Sequence, residues 1–100
     1  MTMNFQNLEQ NAEEAASFLK LLASGPRLLI LCQLIGGEQN VGTLAEKTGL
    51  RMTTVSQHMA LMRAQNIVST RRDGTTIYYS LASPMVEEVL AVLYKSFCNV

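Results

Sequence analysis

Two thiols, one imidazole, and a short run of hydroxyls, an amide and guanidiniums are the side chains in this sequence placed to do chemistry. Cys32 and Cys98 stand far apart in the chain, and neither sits in a CxxC or Cys–His cluster. A zinc site needs such ligands in close company, so the thiols argue against a metal centre. The single histidine, His58, is two residues from Ser56, which on a helix separates them by about 200°. They cannot form a nucleophile and its base within that helix. No glycine-rich phosphate loop and no catalytic acidic pair stands elsewhere, so neither an enzyme nor a cofactor is expected.

The polar chemistry gathers in one stretch. With Met52–Gln65 wound as a helix, Met52, Val55, Met59 and Met62 fall within about 80° of one another and form a core stripe. Thr53, Ser56, Gln57, Ala60 and Ala64 fall on the opposite side. Small residues let a backbone approach a DNA major groove, hydroxyls reach phosphates or base edges, and glutamine can pair bidentately with adenine. An ordinary solvated face would prefer Lys and Glu. Further on, Arg71-Arg72-Asp73-Gly74 places two guanidiniums at the tip of a hairpin, within reach of phosphates or a minor groove. Taken alone, that tip can equally be a charged solubilising turn.

The elements that must position these groups follow from periodicity. Leu8 to about Ala23 keeps helical spacing through Ala12, Ala15, Ala16, Leu19 and Leu22, after a frayed stretch over residues 1–7. Gly25-Pro26 restarts the chain into a nearly solid apolar helix, Pro26 to about Ile35, expected at the centre and ended by Gly36-Gly37. Asn40 caps a short helix over Val41–Thr48, closed by Gly49. With the Met52 helix following at once, this is a helix-turn-helix pattern. Ile67–Arg72 and Thr75–Leu81 flank Asp73-Gly74 as two strands, with Ile77, Tyr79 and Leu81 on the buried side. Ser83-Pro84 caps a last helix with the stripe Met85, Val86, Val89, Leu90, Leu93, Tyr94 and Phe97. The expected fold is a single mainly α domain over 1–100 with a β-hairpin, in the order α-α-α-α-β-β-α.

Composition bounds the partners. The chain carries no net charge, but its distribution is uneven. Val41–Ala82 holds Lys47, Arg51, Arg63, Arg71 and Arg72 against Glu46 and Asp73, a net of +3, and the remainder carries −3. A DNA-facing middle with acidic ends produces that split. At 100 residues and 48% apolar, the chain has more apolar surface than so small a core uses, which points to a subunit interface. The polar start and the lack of a long apolar run lead to the expectation of a cytoplasmic protein without membrane or targeting segments.

The stretch GTLAEKTGLRMTTVSQHMALMRAQNIVSTRRDGTTIYYSL resembles the winged-helix segment of the ArsR family of bacterial repressors. The matching features are SQHM followed by LMR, then NIV, RRDG and IYYSL, and the PRLLIL helix extends the likeness over nearly the whole chain. The resemblance implies a winged helix-turn-helix fold and a homodimer formed by the first and last helices. It also implies operator DNA contacts at Thr53, Ser56, Gln57, Arg71 and Arg72. One departure is Arg51, where the family commonly has a serine cap.

Metal-sensing relatives carry ligands on the third or last helix. Here the third helix lacks Cys and His, and the last lacks His and Asp. Cys32 in the second helix, expected part-buried, and Cys98 near the end of the last instead resemble the dithiol, BigR/SqrR/HlyU-like branch. That likeness implies oxidation by reactive sulfur species or other oxidants to a disulfide or polysulfide bridge that changes DNA affinity. A thiol-insensitive repressor and a small helical protein-interaction adaptor are the competing readings.

Overall fold

The computed structural model describes residues 5–98. Its elements are α1 (Phe5–Gln10), α2 (Ala12–Leu22), α3 (Gly25–Leu34), β1 (Gln39–Asn40), α4 (Val41–Thr48), α5 (Met52–Ala64), β2 (Val68–Asp73), β3 (Thr76–Leu81) and α6 (Pro84–Phe97). The expected order is present, with two additions: a break in the first helix and a two-residue strand.

The break falls at Asn11, whose side-chain amide donates to the Asn7 carbonyl at 2.9 Å. Asparagine competes for backbone groups in this way and favours turns over helix interiors. Helix α1 already begins at Phe5, so residues 5–7 are helical rather than frayed. The rest of that expectation, residues 1–4, lies outside the described residues. Between α2 and α3 the chain bends by 84°. Ser24, extended at φ −151°, caps α3 by accepting the Arg27 N–H at 3.3 Å, and Pro26 occupies the first turn.

Helix α4 starts and stops as its sequence implies. Asn40 Oδ1 accepts the Thr43 N–H at 2.8 Å, and Gly49 ends the helix at φ +75°. Helix α5 ends differently, on a non-glycine left-handed residue. Asn66 sits at φ +61°, with Ile67 N–H bonded to Met62 O and Asn66 N–H to Arg63 O. That pair of bonds is the Schellman pattern, and asparagine tolerates its backbone better than most residues.

The sheet runs β1-β3-β2, all antiparallel, with Tyr79 opposite both Gln39 and Thr70. Asp73 pairs with Thr76, so the turn is Gly74-Thr75, one residue later than the expected Asp73-Gly74. Gly74 takes φ +63° at the first central position, the pattern of a type II′ turn. Ile77, Tyr79 and Leu81 are all half-buried, and Tyr79 and Leu81 are the two that pack against the core, Ile77 lying nearer the turn.

Ile30, Leu31, Leu44, Val55, Met59, Met62, Val86 and Leu90 are fully enclosed and tie α3, α4, α5 and α6 together. Two apolar expectations need correction. Met52 is 57% exposed, because it stands in the first turn of α5, ahead of the depth at which Val55 begins to fill the core. Helix α3 is not enclosed all round, since Leu29 and Cys32 face outward. On α6 Val86 and Leu90 are buried, while Met85, Tyr94 and Phe97 of the apolar stripe stand exposed on the single chain.

Candidate nucleic-acid interface and dithiol groove

Helix α5 presents two contrasting sides. Val55, Met59 and Met62 anchor it in the core, while Thr53, Ser56, Gln57, Ala60 and Ala64 all lie exposed. The anchoring is rigid because the turn from α4 is closed by Gly49 and by Thr48 Oγ1, which donates to the Leu44 carbonyl at 2.6 Å. Arg51 takes the N-cap position with extended backbone but makes no side-chain capping bond. His58 is half-buried, with Nδ1 at 3.5 Å from Nη1 of Arg27. Arg27 also donates from Nε to the Leu21 carbonyl, so it ties the α2–α3 corner to α5. His58 thereby acts in the fold as a positioned side chain.

The two arginines are not together at a tip. Arg71 pairs across the ladder with Tyr78 and Arg72 with Ile77, so their side chains leave opposite faces of the ribbon. Arg71 lies over the Tyr78 ring at 4.8 Å and forks onto Glu38 with contacts of 2.6 and 3.1 Å. The Arg71 guanidinium holds the Glu38 carboxyl below its ordinary range. Glu38 carried no signal in the sequence: its partner is fixed by β1 joining the sheet, and a two-residue strand has no periodicity to read.

Cys32 and Cys98 come into one groove of about 530 Å³ between α3 and the end of α6, walled by Leu28, Leu29, Leu90, Leu93, Tyr94 and Phe97. Both are free thiols and both are exposed, so Cys32 is more accessible than expected. The apolar surroundings still push the Cys32 thiol up from its ordinary value, and the neighbouring Cys98 raises it further. Alkylation of Cys32 by iodoacetamide should therefore rise with pH through a midpoint above that of an ordinary thiol. Cys98→Ser should lower this midpoint part of the way, because the burial component remains. A midpoint at or below the ordinary thiol value would contradict the placement. Among the described residues no group of three or more His, Cys, Asp or Glu side chains is arranged to hold a metal ion.

A helix pair joined by a tight glycine turn, its second helix exposing small and polar residues beside a β-ribbon, defines a winged helix-turn-helix regulator. The profile for bacterial regulatory proteins of the arsR family matches residues 24–70. The nodulation protein NolR of Rhizobium meliloti is 51% identical over 84 residues, covering 84% of this chain and 69% of that protein. The transcriptional activator HlyU of Vibrio cholerae is 36% identical over 97 residues, covering 97% of this chain and 90% of HlyU. Among solved structures, the transcriptional repressor BigR of Xylella fastidiosa superposes with a TM-score of 0.89 at 35% identity, covering 98% of this chain and 100% of the BigR chain in that crystal structure. The chain belongs to the ArsR family of transcriptional regulators, in the branch that contains BigR and HlyU.

Among the described residues no single helix is long and apolar enough to cross a membrane.

Proposed function

We propose that this regulator binds operator DNA as a homodimer and that the oxidation state of Cys32 and Cys98 sets its DNA affinity. The observation that carries the reading is the meeting of two free thiols in one groove between α3 and α6. A bridge there would pin α6 to α3, and α3 leads through β1 into the helix-turn-helix. Helix α5 offers Thr53, Ser56 and Gln57 to a major groove, and Arg71 and Arg72 supply the wing's phosphate contacts. Leu19 on α2 and Val92, Tyr94 and Phe97 on α6 are exposed apolar groups on the two helices that would meet a second copy. The solution NMR structure of a Mycobacterium bovis relative, 32% identical with a TM-score of 0.74, is described as a homodimeric winged helix-turn-helix DNA-binding domain.

The redox step balances with an organic persulfide as the oxidant. The two cysteine thiols and one RSSH give the Cys32–Cys98 disulfide, RSH and hydrogen sulfide. The thiols lose two electrons, and the terminal sulfur of the persulfide accepts them and leaves as sulfide. A second RSSH contributes one retained sulfur atom, giving the trisulfide, a second RSH and again one hydrogen sulfide.

The DNA-binding half is tested by salt. Affinity for an AT-rich palindromic duplex should fall with a log–log slope of about −0.9 per phosphate neutralised. Binding indifferent to salt would favour the protein-interaction adaptor.

A further inference from the structure

The sheet order places β3 between β1 and β2, so Arg71 on β2 can reach Glu38, beside β1, only by crossing the sheet over β3. It does so across the Tyr78 ring, its own ladder partner. At the far side Nη2 donates to Glu38 Oε1 at 2.6 Å, and Nε is 3.1 Å from both carboxylate oxygens. Both side chains remain open to solvent, at 54% for Arg71 and 39% for Glu38. A guanidinium fork presents the same planar donor edge to a carboxylate as to a phosphate. Arg71 cannot serve both with that edge.

We propose that Glu38 is an affinity-determining residue, an intramolecular stand-in for phosphate that the DNA backbone must displace before Arg71 can engage. This rests on the reading of Arg71 as a DNA contact. The duplex opposes Glu38 twice. It must break an ion pair already formed, and it then leaves an unpaired carboxylate beside a line of phosphates. An exposed pair is weak enough to be displaced, so Glu38 attenuates DNA binding without preventing it. The regulator thereby holds its DNA affinity below what its cations would otherwise provide.

The test uses the full chain with an AT-rich palindromic duplex and a random-sequence duplex of equal length, in low salt. Glu38→Gln should tighten binding about threefold per protomer, hence about tenfold for a dimer. Arg71→Ala should weaken it. The Glu38→Gln/Arg71→Ala double variant should gain clearly less over Arg71→Ala than Glu38→Gln gains over the wild type, since only the carboxylate's repulsion of phosphate is then removed and no ion pair is left to break. A structure of the DNA complex should show the Arg71 fork on a phosphate and Glu38 released. Unchanged or weaker binding by Glu38→Gln overturns the proposal, because the carboxylate would then be idle or orienting Arg71 for DNA. Equal tightening in the Arg71→Ala background also overturns it, by reducing Glu38 to a general repulsive charge. Wild-type binding by Arg71→Ala removes the Arg71 contact itself, and the inference with it.

Discussion

Gln57→Ala is expected to weaken binding to an operator duplex by about tenfold or more while leaving thermal stability unchanged. Gln57 is exposed on α5, so truncating it removes nothing from the core held by Val55, Met59 and Met62. A bidentate amide–adenine pair contributes about 1–3 kcal/mol of discrimination, and a dimer would carry two copies. The loss should fall on sequence preference: the variant should approach the random-duplex affinity and keep its salt slope. Arg72→Ala is the useful contrast, because loss of a phosphate contact weakens both duplexes alike. If Gln57→Ala keeps full preference for the operator, α5 is not reading bases through that side chain. Electrophoretic shift on the two duplexes, with a melting curve for each variant, separates these outcomes.

Cys98→Ser should abolish the response of DNA affinity to persulfide. Cys32 and Cys98 share one groove, and an intramolecular bridge needs both sulfurs. The other groove residues carry no sulfur, so none of them can replace the lost thiol in a sulfur bridge. Coupling between an effector and a ligand site is commonly about 1–3 kcal/mol, so the wild-type shift should lie between about 5-fold and 150-fold. The serine variant should bind DNA like the reduced wild type, with and without treatment. Retained responsiveness would place the sensor elsewhere, whereas a wild type that never responds would belong to the thiol-insensitive class. Cys32→Ser should behave alike, but it alters α3 itself, and its melting temperature has to be compared before its DNA binding is interpreted.

The structure shows where sequence patterns carry structural information and where they do not. The caps at Asn40, Gly49 and Ser83 were legible because each uses its own side chain or its own backbone freedom. Val55, Met59 and Met62 were legible as a stripe, but Met52 was not separable from them. Angular position on a helix says nothing about depth along its axis. The hairpin was legible, but its register was off by one. Gly74 suits either central position of a two-residue turn, and only the ladder pairing of Asp73 with Thr76 decides between them. The break in the first helix falls at one asparagine bonding its own chain, which periodicity does not encode. For the candidate interface, the residue types on α5 could be read directly, whereas the separation of Arg71 from Arg72 and the grip of Glu38 could not. Those depend on a three-stranded sheet whose third member is two residues long. The meeting of Cys32 with Cys98 likewise depends on how α6 crosses α3, a tertiary relation with no local signature.

The most direct measurement is the DNA affinity of one preparation before and after treatment with an organic persulfide, with intact mass recorded on the same samples. The account predicts a monomer mass lower by two hydrogens, or higher by one sulfur less two hydrogens, with DNA affinity shifted at least about fivefold and restored by dithiothreitol. A bridged protein that binds the duplex as the reduced protein does would contradict it.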